Sequence, residues 1–218
     1  RNIFTSLGFR IVVVTLILTP FMIFCFPLSN LGVLSSREKN IYFLYTFLTA
    51  FFDIIGHIFY FYALKHGDLS RIYPFFSIQI LFTYPLSIWI FNETLPRLIW
   101  LSGILVILGV YFLGNPDNYD KGLELLDDHE RKVYLKKGIF YGILTGIAFA
   151  LFFIFMSLQN QIYDGIWESN YSRLLLSSIM MWVIIIIFNN KYDMVPNKND
   201  PQFKEKIKPY ILMGVFAI

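Results

Sequence analysis

Charged residues are scarce in this sequence, and their scarcity excludes most water-soluble architectures. Asp, Glu, Lys and Arg together make up 15% of the 218 residues, whereas soluble domains carry about 25%. Hydrophobic residues make up 56%, and the mean hydropathy is +0.58. This balance predicts a protein that is surrounded by lipid rather than by water.

Cysteine and the residues of common enzyme motifs are also scarce. Cys25 is the only cysteine, so one copy of the chain cannot form a disulfide or a cysteine metal site. The sequence contains no glycine-rich phosphate loop, no HExxH pair and no serine elbow. We therefore predict no catalytic residue, no metal site and no cofactor. The net charge of +3 is small and the basic residues lie in short loops, so we expect no nucleic-acid partner.

Long uncharged runs are what the sequence has in abundance. They cover residues 11–36, 72–92, 98–116, 138–163 and 174–190, and a sixth run at 40–64 contains one acid. About 20 apolar residues in a helix cross the hydrocarbon core of a bilayer, and only helices satisfy the backbone of such runs in lipid. We predict helices at 9–29, 41–65, 70–92, 97–114, 137–160, 170–189 and from 207 onward. The expected fold class is an all-α, polytopic transmembrane bundle in a lipid bilayer.

Two ionisable side chains interrupt the second of these helices. Asp53 and His57 are four residues apart in AFFDIIGHIFYFYAL, so they lie on one helix face. An ionised side chain at mid-bilayer costs at least about 2.5 kcal/mol, and such residues usually face the bundle interior or a wet cavity. One interpretation is a contact for a solute or a proton. The other is a hydrogen-bonded pair that ties helices together.

Three further polar side chains could line the same cavity, between the second and third predicted helices. Tyr60 follows the histidine by about one turn, and Ser77 and Gln79 lie in RIYPFFSIQILFTYPLSIWIFNE. Tyrosines near the end of a span are often interface anchors instead. Pro74 and Pro85 each remove a backbone donor from the third helix, which predicts kinks. Pro74 could equally mark the start of that helix.

Glycines at helical spacing predict close helix packing rather than chemistry. In GIFYGILTG three glycines recur at every fourth residue, and SGILVILGV contains two more. Such small residues let another helix approach closely in a membrane. The predicted packing glycines are Gly103, Gly109, Gly138, Gly142 and Gly146.

The sequence also contains a faint internal repeat. Arg10 precedes an apolar run in GFRIVVVTLILTPFMIF, and Arg173 does the same in YSRLLLSSIMMWVIIII. Glu38 and Glu205 are related by a similar offset. Five predicted spans separate the members of each pair, and an odd number reverses their orientation, so the two halves would be inverted repeats. The alternative is chance similarity of apolar helices, and both arginines are expected at the membrane interface.

A resemblance to a known family is carried by the residues that read YALKHGDLSRIYPFFSIQILFTYPLSIWIFNETLPRLIWLSGILVILGVYFLG. One helix ends in Ala-Leu, a proline-bearing helix ends in Phe-x-Glu-Thr, and a glycine-containing helix follows. The residues concerned are Ala63, Leu64, Phe91, Glu93 and Thr94. In this order they resemble the EamA-type transporters of the drug/metabolite transporter superfamily. The likeness is good over 41–114 and weaker over 137–218.

This resemblance implies a fold and an activity. Such proteins usually have ten helices in two inverted halves of five. The chain would then be a fragment, with a first half at 1–114 that lacks its first helix, a polar linker at 115–136, and a second half at 137–218 that stops in its third helix. The implied activity is alternating-access transport of a small-molecule solute, such as an amino acid or a drug-like metabolite, with proton coupling as an option. The implied location is the cell membrane, inner or plasma, and no enzyme activity is expected.

Two other functions and the orientation remain open at the level of sequence. A membrane-embedded enzyme could use Asp53 and His57 as acid and base, although the other spans supply few further polar groups. A non-transporting scaffold or sensor would show no solute flux. Fourteen of the eighteen basic residues lie on the side of the linker, which places that side in the cytoplasm. The cytoplasmic termini usual in the family would place it outside.

Overall fold

Helices account for all the regular secondary structure in the residues that the structure describes. A computed structural model describes residues 3–25, 34–66, 77–92, 94, 96–113 and 128–192. Six helices follow one another in this part of the chain: α1 (Ile3–Cys25), α2 (Ser36–Lys65), α3 (Gln79–Phe91), α4 (Arg97–Leu113), α5 (Asp128–Ile162) and α6 (Ile166–Tyr192). The predicted all-α fold class is confirmed.

Three helices begin well before the predicted residue. α1 begins at Ile3 rather than at 9, and α2 begins at Ser36 rather than at 41. α5 begins at Asp128 rather than at 137, so the last nine residues of the predicted linker 115–136 are helical. Hydropathy marks only the part of a helix that lies in lipid. In α2 and α5 the turns before it contain good helix formers such as Glu, Arg and Lys, which extend the helix into water.

Some predictions fall outside the described residues. They are the first turns of the third predicted helix, at 70–76, and the helix expected from 207 onward. Glu205 and the linker residues 115–127 also fall outside. The third helix is described from Gln79, and its predicted end near residue 92 agrees with Phe91.

The helices have the length and surface of membrane spans. Three segments are long and apolar enough to cross a bilayer: Ser36–Lys65, Lys136–Ile162 and Ile166–Ile187. Shorter apolar stretches occur at Leu7–Ile23 and Gln79–Phe91. Large apolar side chains point outward, among them Trp89 at 79% exposure and Ile186 at 68%. Such surfaces are unfavourable in water, and lipid tails cover them without cost.

The chain folds into two compact units. Unit 1 comprises Arg1–Ile54 and Phe155–Ile218, and unit 2 comprises Ile55–Ile154. α2 and α5 therefore contribute one end to each unit. These units differ from the predicted halves 1–114 and 137–218, because compactness reports packing whereas the halves describe internal similarity. The division into halves stays a prediction.

In unit 1, α1 and α6 run side by side in opposite directions. The rings of Phe9 and Trp182 are 5.5 Å apart, and those of Phe21 and Trp167 are 6.0 Å apart. Numbering thus rises along α1 while it falls along α6. Gly8 permits a close approach, because a Cβ atom there would lie 2.6 Å from a methyl carbon of α6. An antiparallel pair is the arrangement that inverted repeats would require of these two helices.

In unit 2, the end of α2 packs against α5, again with opposite chain directions. Gly56 faces the ring of Phe149, whose nearest carbon would lie 3.0 Å from a Cβ atom at the glycine. Two turns further along α2, the rings of Tyr62 and Tyr141 stack with centroids 5.5 Å apart. Small residues and flat rings therefore set the distance between these two helices.

Candidate functional site

A stripe of polar side chains runs along the part of α2 that belongs to unit 1. Tyr42, Thr46, Thr49 and Asp53 are spaced by four, three and four residues, which places them on one helix face. All four are buried, with exposures of 4% or less. Both threonines donate their hydroxyl hydrogens to the carbonyl oxygens four residues earlier, at 2.8 and 2.7 Å. The interior of unit 1 is therefore polar along this face.

α6 carries a matching stripe of Ser169, Ser172, Arg173 and Ser177. Hydrogen bonds join the two stripes at both ends. At one end the Tyr42 hydroxyl lies 3.1 Å from the Ser172 hydroxyl. At the other end the α2 carboxylate accepts hydrogen bonds from two α6 side chains. We call these eight residues the polar seam.

The charged residues of the polar seam are Asp53 and Arg173, which form an ion pair. Arg173 Nη1 donates to Asp53 Oδ2 at 2.8 Å, and the Ser177 hydroxyl donates to the same oxygen at 3.3 Å. The two charged side chains are 14% and 6% exposed for Arg173 and Asp53 respectively. Neither charge could be buried alone at an acceptable cost, so each depends on the other.

The place of Arg173 differs from its sequence-based prediction. Its sequence context predicts a position at the membrane interface, whereas Arg173 lies within α6 and donates a hydrogen bond to Asp53. A signal was present in the sequence. Asp53 lies in an apolar span with no cation of its own nearby, and an arginine that also borders an apolar run is the natural candidate for its partner.

The other end of the seam is closed by a tyrosine and a second acid. The rings of Tyr42 and Tyr163 meet edge to face, with centroids 6.0 Å apart. Tyr163 donates its hydroxyl hydrogen to Glu168 Oε1 at 3.2 Å. Glu168 is 6% exposed and lies in the first turn of α6, where the free N–H groups of a helix favour a carboxylate.

A buried glutamine lies near the end of α5, between two aromatic residues that contact α2. Gln159 has 0% exposure, and neither its Oε1 nor its Nε2 has a hydrogen-bond partner among the described residues. Its sequence context does not distinguish it, because one amide near the end of a span resembles an ordinary interface residue. Its only sequence signal is its position on the same face as Phe155, four residues earlier.

Long apolar helices with a buried ion pair are what a membrane transporter would contain, and comparison with known proteins decides the family. A family model, described as the EamA-like transporter family, matches residues 1–115. That match covers more than half of the 218 residues.

The chain belongs to the EamA-like transporter family.

The match confirms the resemblance to EamA-type proteins and to the drug/metabolite transporter superfamily. It also identifies the chain as an integral membrane protein of a transporter family. No curated protein and no solved structure matches the chain. The EamA-like match contains Asp53, whereas Arg173, Ser177 and Gln159 come from beyond residue 115.

The remaining site candidates of this EamA-like chain belong to unit 2, whereas Asp53 belongs to unit 1. The ring of His57 meets that of Phe149 edge to face, with centroids 5.2 Å apart. The ring of Tyr60 lies 5.9 Å from that of its chain neighbour, Phe61. Both side chains are partly buried.

Two candidates lie at the start of α3. Ser77 precedes the helix, and its carbonyl oxygen accepts a hydrogen bond from the N–H group of Ile80 at 3.2 Å. Gln79 is the first residue of α3, and its Oε1 is buried without a partner among the described residues. Their roles as solute contacts stay predictions.

The predicted kink and packing residues fall into different surroundings. Pro74 lies outside the described residues, while Pro85 is exposed within α3. Gly103 is buried, and a Cβ atom there would lie 3.2 Å from the side chain of Leu81. A Cβ atom at Gly109 would meet no described atom within 4 Å. The three glycines of α5, Gly138, Gly142 and Gly146, are all buried.

An open groove between α1 and α6 has a volume of about 340 Å³. Its lining is mostly apolar, with Leu18 on α1 and Trp167 and Leu174 on α6. Trp167 is 54% exposed, so the groove opens towards the surroundings of unit 1. This position suits contact with lipid tails better than recognition of a polar solute. Among the described residues, no three His, Cys, Asp or Glu side chains cluster as metal ligands would.

Proposed function

We propose that this EamA-like protein is a secondary transporter that moves a small metabolite across its membrane by alternating access. The observation that carries the proposal is the Asp53–Arg173 ion pair, which is buried between apolar helices. Family membership supports transport as the activity. The hydroxyl groups along the seam favour a polar solute, because they offer hydrogen bonds in an otherwise apolar interior.

A buried ion pair suits a switching element because its paired and separated states need different compensation. While paired, Asp53 and Arg173 offset each other's loss of hydration. Once separated, each charge costs several kcal/mol unless another group replaces its partner. An anionic group of the solute could replace Asp53 on Arg173, and a proton could neutralise Asp53. Either event would release α2 from α6, which is the kind of change that alternating access requires.

Proton coupling is part of the proposal and involves His57. Histidine is the side chain that most often relays protons near neutral pH, and His57 follows Asp53 by one helical turn. We expect His57→Gln to flatten the pH dependence of transport. Its maximal rate should stay within about threefold of wild type, because the ion pair remains intact.

Flux through the full-length protein in proteoliposomes tests the proposal. A panel of labelled metabolites would be offered with and without a proton gradient. Asp53→Asn and Arg173→Gln would be compared with Arg37→Gln, which removes an exposed arginine at the start of α2. We expect wild type and Arg37→Gln to accumulate at least one solute, and both seam variants to lose roughly tenfold or more of that flux.

Other results would favour the competing functions. Wild-type protein that moves no member of the panel in either direction would speak for a scaffold or sensor. Chemical conversion of a solute without its passage across the membrane would indicate an enzyme that uses Asp53 and His57. Full flux in both seam variants would remove the ion pair from the transport mechanism.

A further inference from the structure

Gln159 is a fully buried glutamine whose side chain makes no hydrogen bond to any described residue. We propose that Gln159 binds the transported solute through its carboxamide, and that the solute carries an amide or lactam group. This inference rests on the proposed transport function and specifies the chemical group that the site takes.

The energetic argument starts from the cost of an unsatisfied amide. Transfer of a carboxamide out of water is unfavourable unless its donor and acceptor find new partners. At Gln159 both the acceptor Oε1 and the donor Nε2 are buried and lack partners among the described residues. Leucine or methionine would fill a similar volume without this cost. A ligand with a donor and an acceptor would supply both of the partners that the described residues do not provide.

Gln159 lies in the part of α5 that packs against α2. Phe155 and Tyr163 lie four residues before and after it, so all three share one side of the α5 end. Phe155 stacks on Phe52 of α2, with centroids 5.6 Å apart and planes within 6°. Tyr163 meets Tyr42 of α2 at 6.0 Å. Gln159 thus lies, along the chain, between one residue that contacts Phe52 and one that contacts Tyr42, both on α2.

The part of α2 between those two contacts offers acceptors but few free donors. Thr46 and Thr49 are buried there, and their hydroxyl hydrogens are already donated to backbone carbonyl oxygens. Their oxygens keep lone pairs that could accept hydrogen bonds from a ligand. A solute in contact with Gln159 would therefore meet a carboxamide on α5 and hydroxyl oxygens on α2.

The complement of a carboxamide is another group with a donor and an acceptor side by side. An amide or a lactam can accept from Nε2 and donate to Oε1 at the same time. A carboxylate would satisfy only Nε2 and would be drawn to the guanidinium of Arg173 instead. An ammonium group would satisfy only Oε1 and would be drawn to Asp53. The rings of Phe155 and Tyr163 on either side favour a flat group.

Ligand-induced thermal stabilisation of the full-length protein in nanodiscs tests the inference. Nicotinamide and uracil serve as the amide and lactam probes. N,N-dimethylnicotinamide and 1,3-dimethyluracil are their matched blanks, because methylation removes the N–H donors. We expect nicotinamide and uracil to stabilise the wild-type protein. The methylated compounds should bind to it with an affinity at least about threefold lower.

The variant Gln159→Leu is compared with Gln161→Leu, which changes an exposed glutamine of the same helix. Without probe, Gln159→Leu should melt at the same temperature as wild type or higher, because the unsatisfied amide is gone. Its affinity for nicotinamide should fall about tenfold, while Gln161→Leu should match wild type in both measurements. A merely structural glutamine would not combine unchanged stability with lost binding.

Three results would overturn the inference. They are equal responses to probe and methylated blank in wild type, undiminished binding in Gln159→Leu, or a lower melting temperature of that variant without probe. The last result would mean that the amide is satisfied within the protein. Failure of the proposed function looks different: probes would bind through Gln159 while no labelled solute crosses the proteoliposome membrane.

Discussion

At the residue scale, Asp53 and Arg173 can both be buried in unit 1 because their opposite charges are paired. Asp53 Oδ2 receives hydrogen bonds from both Arg173 and Ser177, so this one oxygen joins α2 to two side chains of α6. Removal of one charged partner leaves the other charge buried without its counter-charge, whereas removal of both leaves two neutral polar groups. Single and double substitutions should therefore differ strongly.

We expect Arg173→Gln to lower the free energy of unfolding by about 3 kcal/mol, because the Asp53 carboxylate would stay buried without a cation. Asp53→Asn should cost a similar amount for the opposite reason. The double variant should cost clearly less than the sum of the two. Denaturant or thermal unfolding in detergent micelles measures all three variants as a double-mutant cycle. Additive costs would contradict a direct interaction of the two charges in the folded protein.

Of this pair, the burial of Asp53 could be predicted from the sequence, whereas its partner could not. Asp53 could be predicted as an inward-facing residue, because lipid does not tolerate a lone carboxylate in a span. Hydropathy predicts that the helix of Arg173 begins at residue 170, which puts the arginine at the end of a span and does not reveal its contact with Asp53. The structure starts α6 at Ile166. That shift of one turn moves the arginine from the end of a span into its interior.

At the element scale, the early start of α2 has a local cause that hydropathy does not detect. Ser35 and Glu38 form a reciprocal cap, in which the Ser35 N–H group donates to Glu38 Oε2 at 2.8 Å. In return the Glu38 N–H group donates to Ser35 Oγ at 3.3 Å. This arrangement satisfies N–H groups that a helix start leaves free. The Ser-x-x-Glu spacing was readable in the sequence, and it explains why the helix begins at Ser36.

Ser35→Ala is expected to loosen the first turn of α2 without affecting the rest of the helix. Loss of the serine oxygen removes the partner of one N–H group, so amide hydrogen exchange over residues 36–39 should quicken about fivefold. Mass spectrometry of exchanged peptides measures this change. Ser36→Ala is the matched control, since no described hydrogen bond joins its side chain to the cap. Equal exchange in the two variants would contradict the capping role.

The glycines of α4 and α5 that the sequence predicts as packing residues are not equivalent in the structure. A Cβ atom at Gly138 would lie 2.9 Å from the carbonyl oxygen of His66, which belongs to the backbone and cannot turn aside. A Cβ atom at Gly109 would meet no described atom within 4 Å. The sequence pattern could predict both as packing residues, because it records small size but not the distance of a neighbour.

Alanine at these two glycines should therefore have opposite effects on stability. Gly138→Ala is expected to lower the free energy of unfolding by about 1–3 kcal/mol, because the backbone at the end of α2 must move. Gly109→Ala should be neutral or stabilising by up to about 1 kcal/mol, because alanine favours the helix. Thermal unfolding in detergent micelles measures both variants. A stable Gly138→Ala protein would show that this approach of α5 to α2 is not tight.

At the scale of the whole molecule, the antiparallel contact of α1 and α6 joins residues 146 and 173 positions apart in the chain. The sequence suggested a relation between these two helices through Arg10 and Arg173, but the apolar runs that follow contain no feature that fixes their contact. Aromatic pairs near each end provide it. Packing of this kind depends on the shapes of many apolar side chains, which hydropathy treats as equal.

Cysteine pairs with a short bifunctional thiol reagent test the direction of α1 against α6. After Cys25→Ser removes the single native thiol, cysteines at Phe9 and Trp182, or at Phe21 and Trp167, should cross-link readily, because each pair of rings is in contact. The exchanged pairs, 9 with 167 and 21 with 182, should not cross-link. Positions 9 and 21 are twelve residues apart on α1, so each exchanged pair would be displaced by about 18 Å along the helix. Gel mobility before and after cleavage in the 115–127 segment reports each link. Efficient linkage of the exchanged pairs would mean that α1 and α6 run parallel, which would contradict both the described packing and the inverted relation of the two halves.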